Sequence, residues 1–234
     1  MRKILFIHGL ASSGAYKTAD TLRILLKPCE VIAPDVPIDP ADALSLLQGL
    51  VSRERPDLVV GLSLGGFWAL QLHDVPRIVI NPDLHPSALL RSRLGVMRYL
   101  SPRRDGAESF VIDEDLCRRY AALEAAGEAP SGAKPAEQPS GVAHAWLGQP
   151  DHDSASLQSR ADARTEVPSG ARVPADAARV RGLFAENDEL VDCRDEFEAR
   201  FPGCAVRYPG GHLPTYPQIK QHLVPLALEL MTGE

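Results

Sequence analysis

Leu58-Val59-Val60-Gly61-Leu62-Ser63-Leu64-Gly65-Gly66-Phe67-Trp68 is the stretch on which the fold turns. Leu58–Leu62 is continuously apolar rather than alternating, the pattern of a strand covered on both faces. Leu64–His73 reads as a helix that begins at once, which leaves Ser63 alone at the junction. So tight a strand-to-helix turn needs small residues two before and two after the serine. Gly61 and Gly65 supply them, and Gly66 lets the helix approach the sheet. A serine hydroxyl is a poor nucleophile until it is lifted clear of the backbone to meet a base. The helix start also offers free N–H groups and the positive end of a dipole beside it. The plain alternative is a glycine-rich turn with no chemistry.

Outward from this junction the same rhythm repeats. Apolar runs Lys3–Ile7, Glu30–Ala33, Arg77–Ile80, Val180–Phe184 and Ala205–Tyr208 each stop at a turn or helix signal. Between them lie helical patterns at Ala15–Leu26, Ala41–Arg53, Arg194–Arg200 and Pro217–Leu230. Asp39-Pro40 opens the second with a capping residue and a proline at the first helical position. Strands alternating with helices predict a mainly parallel sheet of about six strands with helices on both faces. In such sheets functional groups collect at the carboxyl ends of strands. The chain of 234 residues is read as one domain, with a core at 1–81 and 177–234. Residues 82–128 carry helical stretches (Ala88–Arg98, Asp113–Ala126) and no convincing strand, as expected of a small helical cap. Residues 129–176 hold six large apolar side chains in 48 positions. That is too few to offset the entropy of ordering them, so a flexible excursion is expected there.

Activating Ser63 requires a base, an acid and an oxyanion site. His8-Gly9-Leu10-Ala11-Ser12-Ser13-Gly14 follows the first strand, and its Leu10 N–H, with that of Leu64, is the expected oxyanion pair. His8 is expected to hold this loop by a hydrogen bond. Of the other histidines, His73 and His222 fall in or beside helices and read as surface residues, and His144 and His152 lie in the excursion. Asp151-His152-Asp153 lacks the further spaced partners of a metal site. His85 falls near the end of the fourth strand, where it would line the pocket. His212 follows the last strand in Tyr208-Pro209-Gly210-Gly211-His212, where glycines let a loop turn an imidazole back over the sheet. It is the expected base. A carboxylate must hold that imidazole in the right tautomer. Asp188, in Ala185-Glu186-Asn187-Asp188-Glu189, is the expected acid, with Glu186 in reserve, Glu189 exposed and Asp192 a helix cap.

The composition excludes several classes. At 44% hydrophobic and 24% charged it is that of a globular protein. A net charge of −6 with interspersed signs argues against a nucleic-acid partner. Cys29, Cys117, Cys193 and Cys204 lack disulfide or metal-site spacing and read as free thiols. Met1-Arg2-Lys3 and Ile4–Ile7 imitate a secretion signal, but His8-Gly9 breaks the run after four residues, against roughly 7–15 in a signal core. No run reaches the roughly 18 apolar residues of a membrane span. A cytoplasmic protein with no membrane partner is expected.

Together, His8–Ser13, Gly61–Gly66, Ile80-Asn81-Pro82, Asn187–Asp192 and Gly210-Gly211-His212 resemble the small bacterial esterases of the YqiA/YcfP-like group. The resemblance covers roughly residues 2–128 and 177–232, and residues 129–176 have no counterpart in it. It implies an α/β-hydrolase fold, no metal or organic cofactor, and short acyl esters as substrates. By that resemblance the nucleophile falls on Ser63, the acid on Asp188 and the base on His212, while Asn81-Pro82 helps shape the pocket. The chain order serine, acid, histidine agrees with this topology. Thioester hydrolysis, acyl transfer and a non-catalytic binding role on the same fold are the alternatives.

Overall fold

The computed structural model describes residues 1–128 and 177–232. In chain order the elements begin β1 (Lys3–Ile7), α1 (Lys17–Leu25), β2 (Glu30–Ile32), α2 (Pro40–Glu54), β3 (Leu58–Leu62), α3 (Leu64–Leu70) and β4 (Arg77–Ile80). Then come α4 (Pro86–Arg91), β5 (Gly95–Arg98), β6 (Ser109–Ile112) and α5 (Glu114–Glu128). The chain continues with β7 (Val180–Ala185), α6 (Arg194–Arg200) and β8 (Ala205–Tyr208). Finally α7 (Tyr216–Gln218) runs through a π-helical stretch (Ile219–Leu223) into α8 (Val224–Thr232). The excursion expected at 129–176 lies outside the described residues.

Six strands form one sheet in the order β2-β1-β3-β4-β7-β8, with every neighbouring pair parallel. All six coincide, to within a residue, with the apolar runs. Their continuous apolarity has a direct cause, because successive side chains enter two different cores. Leu5, Ile7, Val59 and Val79 pack with Leu47 of α2, Trp68 of α3 and Phe197 of α6. Ile4, Phe6, Val60 and Ile78 pack on the opposite face with Leu22 of α1 and Ala227 of α8. With both faces buried, both sets are mainly apolar, and the buried Arg77 at the start of β4 donates its guanidinium to Leu72 O at 2.6 Å.

The chain leaves β1 for β2 on one side and returns as β3 on the other. The sheet therefore reverses direction between β1 and β3, where a crevice opens at the strand ends. Their register pairs Ile7 with Gly61. The loop after β1 and the serine after β3 consequently emerge side by side.

The cap departs from expectation. Residues 82–128 contain α4 and α5, but also an antiparallel ribbon that pairs Gly95 with Ile112 and Arg98 with Ser109. The helix expected over Ala88–Arg98 ends at Arg91. Gly95 stands at φ +120, a conformation that no helix contains. On β6, buried Phe110 and Ile112 alternate with exposed Ser109 and Val111, and the Phe110 ring packs on Tyr99 at 4.8 Å. Among the described residues no helix is long and apolar enough to cross a membrane. All four cysteines are free thiols.

Candidate active site

Ser63 occupies the turn between β3 and α3 at φ 56, ψ −121, a strained conformation for any residue with a side chain. Surrounding structure enforces it. The Ser63 N–H donates to Ile80 O at 2.9 Å, and Ser63 O accepts from Gly66 N at 2.7 Å and Asp83 N at 3.2 Å. The flanking glycines are steric necessities. A Cβ on Gly61 would fall 2.1 Å from Gly65 O, and one on Gly65 would fall 2.1 Å from Ile7 O. The backbones of β1, β3 and α3 thus touch where the serine is presented.

The loop after β1 is held as expected. His8 donates from Nδ1 to Gly9 O at 2.8 Å and accepts from Val36 N at Nε2, at 3.0 Å. These two bonds require the neutral ring, and burial pushes its pKa down to about 4. Farther along, Leu100 N donates to Ala11 O, and Gly14 N to the Asp35 carboxylate, both at 2.7 Å. A Cβ on Gly9 would stand 3.7 Å from Ser63 Oγ, so this loop flanks the hydroxyl directly. Among the described residues the N–H groups of Leu10 and Leu64 have no acceptor, and both residues line one cavity of about 270 Å³. Val36, Ile38, Trp68 and Tyr99 complete its apolar wall.

His212 and Asp188 come together from the loops after β8 and β7. The Nδ1 of His212 donates to the Asp188 carboxylate, at 2.9 Å to one oxygen and 3.0 Å to the other. That carboxylate also accepts from Leu190 N and Val191 N, which fixes it in its own turn. Both side chains are buried. With Nδ1–H engaged, Nε2 is the nitrogen left with a lone pair. Among the described residues no hydrogen bond joins Ser63 Oγ to this ring.

One residue ties these parts together. Asn81 stands at φ +44 just after β4 and is 1% exposed. Its Nδ2 donates to His212 O at 2.7 Å and to Tyr208 Oη at 2.8 Å, while its Oδ1 accepts from Ala185 N at 2.7 Å. The histidine loop, the end of β7 and the end of β8 therefore share one amide. Glu189, exposed as expected, adds an acceptor for His212 N at 3.2 Å. Glu186 is exposed and takes no part in holding the imidazole.

Asp83 lies two residues beyond Asn81. It is 3% exposed, and its Oδ1 accepts from His85 N at 3.1 Å while its Oδ2 has no partner. Burial pushes its carboxyl up to about 6. The expectation that His85 lines the pocket is not met, because its ring is exposed and bound to Glu196 at 2.7 Å. His222 is half-buried against Tyr208 rather than on the surface.

Strand order, helices on both faces and the serine at the β3–α3 elbow make this an α/β-hydrolase fold. Solved structures share it. Est1E from Butyrivibrio proteoclasticus matches with a TM-score of 0.59 at 12% identity, covering 100% of this chain and 89% of that one. The esterase domain of a Rhodothermus marinus protein matches at 0.55 and 16%, covering 99% and 87%. The methylesterase MES16 from Arabidopsis matches at 0.52 and 12%, covering 100% of both. At these identities the likeness is one of fold. The chain belongs to the uncharacterised protein family UPF0227, whose profile matches residues 3–124. That span includes Leu10, Ser63, Asn81 and Asp83, while Asp188 and His212 lie beyond it.

Proposed function

We propose that this protein is a serine hydrolase that cleaves short-chain carboxylic esters through an acyl-enzyme. Ser63 is the nucleophile, His212 the base, Asp188 the acid, and the Leu10 and Leu64 N–H groups the oxyanion donors. The single observation that carries the reading is the buried Asp188–His212 pair, set at the same strand ends as the strained Ser63. An imidazole held through Nδ1 by a carboxylate presents Nε2 as the acceptor, and the carboxylate steadies the imidazolium that forms.

In this mechanism Ser63 Oγ bonds to the acyl carbon as its proton passes to His212 Nε2. The carbonyl electron pair moves to oxygen, where the two N–H groups receive it, each worth about 3–4 kcal/mol of barrier. The tetrahedral adduct collapses, the ester C–O bond breaks, and His212 returns the proton to the departing alcohol. Water then repeats the sequence on the acyl-serine through the same base, releasing the acid. Proton transfer needs Ser63 Oγ and Nε2 within hydrogen-bond reach, a contact that tightens when substrate is bound.

The apolar cavity beside the Leu10 and Leu64 N–H groups, walled by Val36, Ile38, Trp68 and Tyr99, supports an acyl group seated there. The test is turnover of p-nitrophenyl acetate, butyrate, octanoate and laurate by the wild type and by Ser63→Ala, with matched thioesters alongside. The reading expects kcat/KM to peak at acetate or butyrate, to exceed that for the thioesters, and to vanish in Ser63→Ala. Equal turnover by Ser63→Ala would remove the nucleophile from the account. A peak at laurate would remove the acyl groove.

A further inference from the structure

The loop that carries the Leu10 N–H is not held by its own residues alone. In the cap, β5 ends at Arg98, and the residues just after it clasp this loop and the one that follows β2. Leu100 N donates to Ala11 O at 2.7 Å, Ser101 Oγ meets Ser13 Oγ at 3.0 Å, and the Arg104 side chain donates to Ala33 O at 2.9 Å. Arg103 reaches deepest. Its side chain is 3% exposed, although that of its ion-pair partner Asp105 is 50% exposed. The guanidinium binds Asp105 through both Nε and Nη2 and stands 4.5 Å from the centre of the Tyr99 ring. It also sends Nη1 to Val36 O at 3.2 Å. Taking a charged group out of water is unfavourable, and a surface arginine could keep its aspartate without doing so.

From Val36 the bonds run on toward the serine. Val36 N donates to His8 Nε2 at 3.0 Å, and His8 Nδ1 donates to Gly9 O at 2.8 Å. Gly9 O and the Leu10 N–H belong to one planar trans peptide, with the oxygen and the hydrogen on opposite sides. Holding the oxygen toward His8 therefore aims the hydrogen away from it. Val36 and Tyr99, the two groups that Arg103 touches besides its aspartate, line the same cavity as Leu10 and Leu64. We propose that Arg103 is a positioning residue of the oxyanion site. From the cap, through Val36 and His8, it holds the Gly9–Leu10 peptide with its N–H turned to the developing charge. The inference rests on the hydrolase reading above. An oxyanion donor lowers the barrier because it is aimed before the charge forms, so a residue that fixes its aim acts on the rate without touching substrate.

Arg103→Met keeps an apolar stem beside Tyr99 and removes every donor. Losing a whole oxyanion donor costs about 10²–10³-fold in kcat, so a donor left misaimed should cost about 10–100-fold on p-nitrophenyl butyrate. KM should stay within about threefold, because the lost interaction is made in the transition state. The deciding readout is inhibition by 1,1,1-trifluoro-2-hexanone. Ser63 Oγ adds to its carbonyl carbon, the serine proton passes to His212, and the carbonyl electron pair becomes an alkoxide facing the two N–H groups. Its Ki should rise by the same factor as kcat falls. The matched alcohol, 1,1,1-trifluoro-2-hexanol, cannot be attacked, and its Ki should stay within about threefold. A folded Arg103→Met that retains both kcat and ketone affinity overturns the proposal. So does a fall in kcat with ketone affinity unmoved, or a loss carried by KM and alcohol binding. If Arg103→Met does not fold, Asp105→Ala decides by the same comparison, since it releases the fork that aims Nη1 at Val36 O. A loss of about threefold to tenfold shared by kcat and ketone affinity supports the proposal, and any other result overturns it. If the wild type neither turns over esters nor takes up a phosphonate, the hydrolase reading falls and this inference with it. If it does both while the variants match it, only this inference falls.

Discussion

Replacing Asn81 with alanine removes three short hydrogen bonds at once, those to His212 O, Tyr208 Oη and Ala185 N, at 2.7, 2.8 and 2.7 Å. Tyr208 Oη keeps its bond to Gly211 O at 3.2 Å, so the groups left without their partner at this buried position are His212 O and Ala185 N. Each buried polar partner left unsatisfied costs about 1–3 kcal/mol. The low end totals about 2 kcal/mol, a large share of the roughly 5–15 kcal/mol that holds a domain folded. Alanine is also less tolerant than asparagine of φ +44, which adds to the loss. With a urea m-value of about 2–3 kcal/mol/M, the unfolding midpoint should fall by about 0.7–1 M. On the proposed mechanism, activity should fall further than stability explains, since the carbonyl of His212 is among the groups released. The assay is urea unfolding followed by intrinsic fluorescence, paired with butyrate ester kinetics at a denaturant-free plateau. A midpoint within 0.3 M of wild type (roughly the error of such fits), together with turnover within threefold, would refute the reasoning that Asn81 ties the site together.

Other perturbations follow from the same geometry. Asp188→Asn should leave the fold intact and lower kcat on the order of 10³–10⁴-fold, because an amide no longer fixes the Nδ1–H tautomer. Circular dichroism and ester kinetics together read this. Gly65→Ala drives a Cβ to 2.1 Å from Ile7 O and should abolish soluble expression or collapse the unfolding midpoint. Gly49→Ala, on the exposed side of α2 with nothing within 4 Å, should instead stabilise by about 0.5–1 kcal/mol. For Asp83, the folded carboxyl sits near 6 against an ordinary 3.8, so the folded state holds more protons than the unfolded between those values. Stability from this group is then present at low pH and lost as pH rises through about 6, by about 3 kcal/mol in total. Asp83→Asn should lack that loss. His8, lowered to about 4, acts with the opposite sign across an overlapping window, so the informative quantity is the difference between the two urea-stability curves.

The layered core was legible because strands buried on both faces leave no room for polar alternation, and the six runs marked the six parallel strands directly. The elbow was legible for a similar reason. Only glycine clears Gly65 O and Ile7 O at positions 61 and 65, so the motif records a backbone collision. The ribbon Gly95–Ile112 was not legible. Most of β5 is exposed, and its stability comes from pairing with β6, which no local pattern announces. The role of Asn81 was hidden likewise. Asn81 acts on residues more than 100 positions away, and an Asn-Pro pair reads simply as a turn. His85 misled because its place after β4 predicted a pocket position, whereas the start of α4 turns its ring outward to Glu196.

The most direct test of the central claim is intact-mass analysis after exposure to a fluorophosphonate, run on the wild type, Ser63→Ala and a Cys117→Ser control. The account predicts a single adduct on the wild type and on Cys117→Ser, mapped by peptide mass to Ser63, and none on Ser63→Ala. A folded wild type that stays unmodified, or an adduct that persists without the serine, would contradict it.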